Sequence, residues 1–100
     1  MDTFFERFDA ERAKAEATEA GQAFLQNGFE VWHSGGGMTC WRKVVGANEC
    51  LASDDDSAID TGGPWGVGLY ALADGDIISE DEQPDWQAAI SAIKFLQTVI

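Results

Sequence analysis

The sequence predicts one α+β domain over residues 1–100, with a long N-terminal helix, a four- or five-stranded antiparallel meander and a C-terminal helix. Helix-forming residues fill the first quarter of the chain, strand-like segments between glycine turns fill its middle, and an apolar stripe with helical spacing ends it. Short connections between consecutive strands favour antiparallel pairing, and both helices are expected on one face of the sheet.

The N-terminal helix is predicted to begin at Thr3, because Thr3 and Glu6 form a capping box. The stop signal is Asn27-Gly28, which gives a helix of roughly 25 residues, about 37 Å long. Small side chains with 3-4 spacing are expected to face the sheet. These are Ala10, Ala13, Ala17 and Ala20, followed by Phe24.

Phe4 and Phe8 lie broadly on the opposite side of this helix. A single helix in a two-layer domain cannot bury both faces. The helix is therefore expected either to bend near Gly21 or to present the two phenylalanines to another surface. The second alternative implies a homodimer through Phe4 and Phe8, because an exposed apolar patch marks a contact surface.

Five strands are predicted after Gly28, at residues 29–33, 38–45, 50–53, 65–72 and 76–79, with an acidic loop between the third and fourth. The final helix is expected to start near Pro84, which fits a first helical position, with Asp85 at the positive helix end. The fourth strand and this helix are predicted to share one core, formed by Trp65, Val67, Leu69, Ile90 and Ile93.

The charge balance is the strongest compositional signal, with 18 acidic residues against six basic ones and a formal net charge of -12. Direct binding of nucleic acid is disfavoured, because phosphate recognition needs a basic patch. An anionic membrane surface is disfavoured for the same reason. A basic macromolecular partner is favoured, since such a charge steers association. The alternatives are a solubilising surface and the acidic coat of a halophile.

The chain is expected to be cytoplasmic, with Cys40 and Cys50 reduced. Neither a secretory leader nor a run of about 20 apolar residues is recognisable.

No catalytic residues, metal site or cofactor are predicted. His33 is the single histidine, and Cys40 is seven residues away across a glycine turn, so a Cys-His pair is geometrically conceivable. A triad would also need an orienting acid, and a metal site would need more nitrogen or sulfur ligands. The run Ser34-Gly35-Gly36-Gly37 lacks the Lys and Ser/Thr of a phosphate loop. A binding protein is therefore expected rather than an enzyme.

The acidic residues form three clusters that are predicted to contact a partner. The primary set combines a central loop with a C-terminal group. Its members are Asp54, Asp55, Asp56, Asp60, Asp74, Asp76, Glu80, Asp81, Glu82 and Asp85. The secondary set runs along the first helix as Asp2, Glu6, Asp9 and Glu16. Helical acids three or four apart lie about 5–6 Å from each other, a scale similar to the phosphate spacing in a nucleic-acid strand.

In length, acid excess, helix-meander-helix layout and these acid rows, the chain resembles the small acidic inhibitors of phages and mobile elements, notably anti-CRISPR proteins and other DNA mimics. The resemblance is one of type and has no diagnostic motif. It implies binding to the basic nucleic-acid channel of an effector, such as a CRISPR surveillance complex or a nuclease, in a bacterial host cytoplasm. Access of target nucleic acid would then be blocked without chemistry.

Two other functions remain open. An immunity protein or antitoxin that caps a basic nuclease toxin would bury aromatic anchors such as Trp32 or Trp41 at its interface, with acids around them. A structural or regulatory phage protein would use its acidity only for solubility.

Overall fold

The computed structural model describes residues 3–35, 38–55 and 57–99, with side chains for all of these except 3, 4, 34, 35 and 97–99. The helices are α1 (Thr3–Glu16), α2 (Glu19–Gln26) and α3 (Trp86–Val99). The strands are β1 (Glu30–Gly35), β2 (Met38–Val45), β3 (Asn48–Asp54), β4 (Trp65–Ala71) and β5 (Ile77–Gln83). The strands form one antiparallel sheet in the order β1-β2-β3-β4-β5. The predicted α+β meander with a closing helix is confirmed.

The predicted continuous N-terminal helix is wrong, because it breaks at Ala17 and Thr18 into two helices. The break lies three residues before Gly21, the position near which a bend is one of the two expected alternatives. The Thr18 hydroxyl accepts a hydrogen bond from the Gly21 N–H at 2.9 Å and donates one to the Ala15 carbonyl at 2.8 Å. Thr18 is thus the N-cap of α2. A Cβ atom at Gly21 would lie 1.9 Å from the Ala15 carbonyl oxygen, so only glycine permits this close turn.

The break also changes which face of α1 packs on the rest of the protein. Ala10, Ala13 and Ala17 are exposed, so the expected alanine stripe does not continue through the turn. Ala15 is instead completely buried, and Phe8 packs partly against the core. The helical phase is reset at Thr18, so the stripe before it points to solvent, whereas its last members, Ala20 and Phe24, are completely buried as expected.

One face of the sheet carries the core. Side chains alternate between the two faces of a strand, and the register aligns Trp41 with Ala52, Ala52 with Val67, and Cys50 with Leu69. These residues are buried in one cluster with residues from all three helices. The core predicted for β4 and α3 is part of it and is confirmed. Its members Trp65, Val67, Leu69, Ile90 and Ile93 are all buried.

Two strands are longer than predicted. β3 begins at Asn48 and includes Asp54, and β5 continues through Gln83, so that the acids Glu80, Asp81 and Glu82 belong to an edge strand. α3 begins at Trp86, with the Asp85 carboxylate accepting a hydrogen bond from the Ala88 N–H at 2.8 Å. Asp85 therefore caps this helix, and Pro84 precedes the cap.

Replacement of Leu69 or Ile93 by Ala is expected to lower the free energy of unfolding by about 2–5 kcal/mol, because both side chains are almost completely buried. Chemical denaturation of each variant measures the loss. The exposed neighbour Lys94, replaced by Ala, is the control and should differ from wild type by no more than about 0.5 kcal/mol. Equal stability of all four proteins would contradict the core assignment.

Replacement of Thr18 by Ala is expected to cost about 1 kcal/mol, because the Gly21 N–H then loses its acceptor. Thr18→Ser keeps the hydroxyl and should retain most of the stability. Thermal unfolding of the two variants makes the comparison, and an equal loss in both would assign the effect to the Thr18 methyl group instead.

Candidate functional site

The charge of the chain is concentrated on one side of the sheet. Residues 44–93 contain eleven of the 18 acidic residues and none of the six basic ones. This span comprises β3, β4, β5, their connections and the first half of α3. On α1, by contrast, the acids alternate with Arg7, Arg12 and Lys14. The β3–β5 side is therefore the part of the molecule that is rich in acids and has no base of its own, although Glu49 is paired with Arg42 of β2.

Three consecutive acids lie on the edge strand β5, and all three are exposed. We call Glu80, Asp81 and Glu82 the acidic edge. The register pairs Glu80 with Gly68 and Glu82 with Gly66, whereas Asp81 pairs with the core residue Val67. Glu80 and Glu82 therefore lie on the sheet face opposite the core, about 6–7 Å apart along the strand, and Asp81 lies on the helix side.

The face opposite the core contains a shallow cavity of about 490 Å³ over β2–β5. Its lining combines apolar, small and acidic residues, including Met38, Cys40, Leu51, Gly66, Gly68, Tyr70, Glu80 and Glu82. A second cavity of about 460 Å³ is lined by Asp54, Asp55, Thr61, Pro64, Gly66 and Glu82. Gly66 and Glu82 belong to both, so the two cavities adjoin. We call them together the open-face trough.

Tyr70 and Gly68 shape one wall of the open-face trough. A Cβ atom at Gly68 would lie 2.3–2.5 Å from the Tyr70 phenol, so the ring lies directly over this glycine. The phenol donates a hydrogen bond to Glu80 Oε1 at 2.9 Å. Burial, the bond to Glu80 and the nearby negative charge raise the pKa of Tyr70 to about 12. The phenol therefore remains a donor at neutral pH and holds the Glu80 carboxylate at the rim.

Cys40 borders the open-face trough but is not brought together with His33. The register pairs Cys40 with Trp32 and His33 with Thr39, so the two side chains belong to opposite faces of the sheet. Burial, followed by the charge of Glu49, raises the pKa of the Cys40 thiol to about 11. A thiol with this pKa is almost entirely protonated at neutral pH, whereas a nucleophilic cysteine acts as the thiolate.

The carboxylates of the acidic loop after β3 are not all at the surface, although the sequence predicts that they contact a partner. Asp54 is 3 % exposed, and its Oδ2 atom accepts hydrogen bonds from the Thr61 N–H at 2.6 Å and the Thr61 hydroxyl at 2.8 Å. Asp54 therefore closes the loop and is not a surface contact. Asp60 is half-buried and accepts a hydrogen bond from the Gly62 N–H. Asp55 is exposed, and Asp56 lies outside the described residues.

Asp74, Asp76 and Asp85 are exposed at the two ends of β5. Asp74 accepts a hydrogen bond from the Asp76 N–H at 3.0 Å, which stabilises the turn between β4 and β5. Asp85 caps α3, as described above. The carboxylates of Asp74 and Asp85 thus stabilise local structure, and this role explains their positions even if neither contacts a binding partner.

Of the two predicted aromatic anchors, Trp41 is completely buried, and its indole N–H donates a hydrogen bond to the Ala58 carbonyl at 2.9 Å. Trp41 is thus a core residue and does not reach a partner in this fold. Trp32 is 39 % exposed, and the Arg42 guanidinium lies over its ring at 4.6 Å. Arg42 also forms an ion pair with Glu49 at 2.8 Å.

The secondary acids and the predicted dimer patch lie on α1. Glu6 and Asp9 are exposed, Glu16 is half-buried, and Asp2 is outside the described residues. Asp9 forms an ion pair with Arg12 at 3.3 Å. Phe8 packs partly against the core and against the His33 ring, so it is not an uncovered side chain. The Phe4 side chain is among those not described.

Sequence reasoning identified the acids of β5 but missed the open-face trough. The signal was the alternation of Gly66 and Gly68 in β4, which removes side chains from one face of a central strand. Both glycines lie within the fourth predicted strand, at residues 65–72. Met38, Leu51 and Tyr70 join them through the strand register, which spacing along the chain does not show.

Replacement of Asp54 by Ala is expected to lower the free energy of unfolding by about 1–3 kcal/mol, because the buried carboxylate and its two partly buried hydrogen bonds from Thr61 are lost. The exposed Asp76, replaced by Ala, removes the same charge and should change stability by less than about 0.5 kcal/mol. Urea titration of both variants separates the two effects. Equal stability of both would mean that Asp54 is only a surface charge.

Within the part of the chain that the structure describes, no three His, Cys, Asp or Glu side chains are grouped so as to hold a metal ion. Among the described helices, none has the length and apolar character needed to cross a bilayer. Comparison of the chain with protein-family models, with curated proteins and with solved structures gives no match.

Proposed function

We propose that this chain is a non-enzymatic inhibitor that binds a basic nucleic-acid-binding effector and blocks its target by acidic mimicry, in the cytoplasm of a bacterial host. One observation carries the proposal: the exposed acids Glu80 and Glu82 border a sheet face that the described helices leave uncovered, in a span that contains no basic residue. An anionic surface of this kind complements a Lys/Arg-lined channel.

The proposed mechanism is electrostatic. Two glutamates on one strand face place negative charges about 6–7 Å apart in a row, as phosphates do along a nucleic-acid strand. At physiological ionic strength such exposed charges are screened over about 8 Å, so they act at short range and accelerate encounter with a basic partner. The effector's own basic residues would then be occupied before nucleic acid arrives.

The acidic edge also has an explanation that needs no partner. Charged side chains on an edge strand discourage pairing with the edge of another sheet. That explanation accounts for acids on β5 but does not require the adjoining cavity over β2–β5. The immunity-protein alternative loses one of its two aromatic anchors, since Trp41 is completely buried. Inhibition through the acidic edge is therefore the function that we favour.

Reversal of the acidic edge (Glu80→Lys, Asp81→Lys and Glu82→Lys) is expected to weaken binding of an octa-arginine peptide by at least about tenfold, because like charges then replace attractive ones. The matched control reverses Glu6, Asp9 and Glu16 on α1, with the same change in net charge. Calorimetric titration at low and at physiological salt measures both affinity and its salt dependence. Equal weakening by the two triple variants would mean that only net charge matters.

A second measurement addresses the effector. Wild type and the two triple variants are immobilised and exposed to bacterial extract, and bound proteins are eluted with duplex DNA. The expected result is a basic nucleic-acid-binding protein that wild type and the α1 variant retain and the edge variant loses. Retention that DNA does not reverse would contradict mimicry of nucleic acid. Circular dichroism of each variant verifies that it is folded.

A further inference from the structure

We propose that the open-face trough is the subsite for an arginine side chain carried by an extended segment of the basic partner. This inference rests on the proposed function and gives it a contact point. It follows from three features that occur together: a floor that is free of side chains at Gly66, apolar walls and carboxylates at the rim.

The floor of the trough is formed by the backbone of β4 at Gly66 and by the Tyr70 ring, which covers Gly68. Apart from Gly66 itself and its chain neighbours, no atom of the described residues lies within 4 Å of the position that a Cβ atom at Gly66 would occupy, so the space above this residue is open. At Gly68 the corresponding space is filled by the Tyr70 ring. The depression is therefore open at Gly66, which lines both cavities together with Glu82.

The walls suit the aliphatic stem of a long side chain. Met38 is 38 % exposed and lines the cavity together with the half-buried Leu51. Long cationic side chains bury their methylene groups along such apolar surfaces and keep the charged group in water. A purely acidic surface would attract bases without offering this contact.

The rim suits the charged end of arginine. Glu82 borders both cavities, Glu80 is held by the Tyr70 phenol, and Asp55 lines the second cavity. A guanidinium presents five N–H donors in a planar fork and can bond two carboxylates at once, and its plane stacks on an aromatic ring. The ammonium of lysine is a compact point charge without this geometry.

Other occupants fit less well. A phosphate or a nucleic acid would bring negative charge to Glu80 and Glu82. A second copy of this chain would bring a formal charge of -12. The carboxylates of the trough therefore favour a cationic group. Because the two cavities adjoin, the peptide segment that carries the inserted side chain can continue on either side of it.

The test uses two blocked pentapeptides, acetyl-Thr-Val-Arg-Val-Thr-amide and the same peptide with citrulline, which is neutral and nearly isosteric with arginine. Amide NMR of the 15N-labelled full chain follows the titration. We expect the arginine peptide to shift the amide signals of Gly66, Gly68 and Glu82 with a dissociation constant on the order of millimolar. The citrulline peptide should bind at least about tenfold more weakly.

Gly66→Val is the decisive variant, because it fills the trough without removing a charge. Beyond its chain neighbours, its Cβ meets no atom of the described residues within 4 Å, and a β-branched residue suits a strand, so the fold should be retained. Val44→Ala, on the same sheet face but outside the cavity lining, is the control. We expect Gly66→Val to weaken the arginine peptide at least about tenfold and Val44→Ala to leave its affinity unchanged.

The outcomes separate this inference from the proposed function. If Gly66→Val keeps full affinity for the pentapeptide, or if citrulline binds as well as arginine, the arginine subsite is overturned. Octa-arginine binding that still depends on the acidic edge would then leave the proposed function standing. If the Gly66→Val spectrum is not that of a folded protein, Glu80→Gln with Glu82→Gln replaces it, against Glu30→Gln on the opposite edge strand. If the Glu80→Gln, Glu82→Gln double variant binds the arginine pentapeptide as tightly as Glu30→Gln does, the inference is equally overturned.

Discussion

Phe24 fixes the helical layer to the sheet, and the other features of the molecule depend on this contact. Its ring stacks on Trp41 at 5.3 Å and on Trp65 at 5.2 Å, and it meets Phe29 edge-on at 5.3 Å. Aromatic pairs of this kind contribute about 0.5–1.5 kcal/mol each beyond the area that they bury. Because Trp41 belongs to β2 and Trp65 to β4, one residue of α2 spans the centre of the sheet.

This one-sided packing determines which surface is left for recognition. Trp41 of β2 and Trp65, Val67 and Leu69 of β4 face the helices, and glycines occupy two of the alternate positions of β4. The face away from the helices is therefore low at its centre and has acids at one edge. Protection of the edge strand and attraction of a basic partner use the same carboxylates, so one set of residues can serve both purposes.

The fold class, the five strands and the β4–α3 core could be predicted from the sequence, because buried strands and helices have clear apolar periods. A bend of the first helix near Gly21 could be predicted as one of two alternatives, but its position at Thr18 could not, since helix-forming residues flank it and its cap depends on a close approach at Gly21. The end of β5 was hidden because an edge strand with two solvated faces has no alternation. At the candidate site, acid clustering was visible in the sequence. The burial of Asp54 and the meeting of the two cavities at Gly66 follow from the strand register, which spacing along the chain does not show.

The separation of charge also separates lysine chemistry from the open face. Lys14 and Lys94 are exposed on α1 and α3, and Lys43 lies on the helix side of β2, where its ammonium donates a hydrogen bond to the Asn27 carbonyl at 2.9 Å. Acetylation, ubiquitin-like conjugation and amine coupling at lysine are thereby confined to the helical side. A lysine-linked tag or support leaves the opposite side of the sheet facing solution, and a host modification at these amines would not mask it.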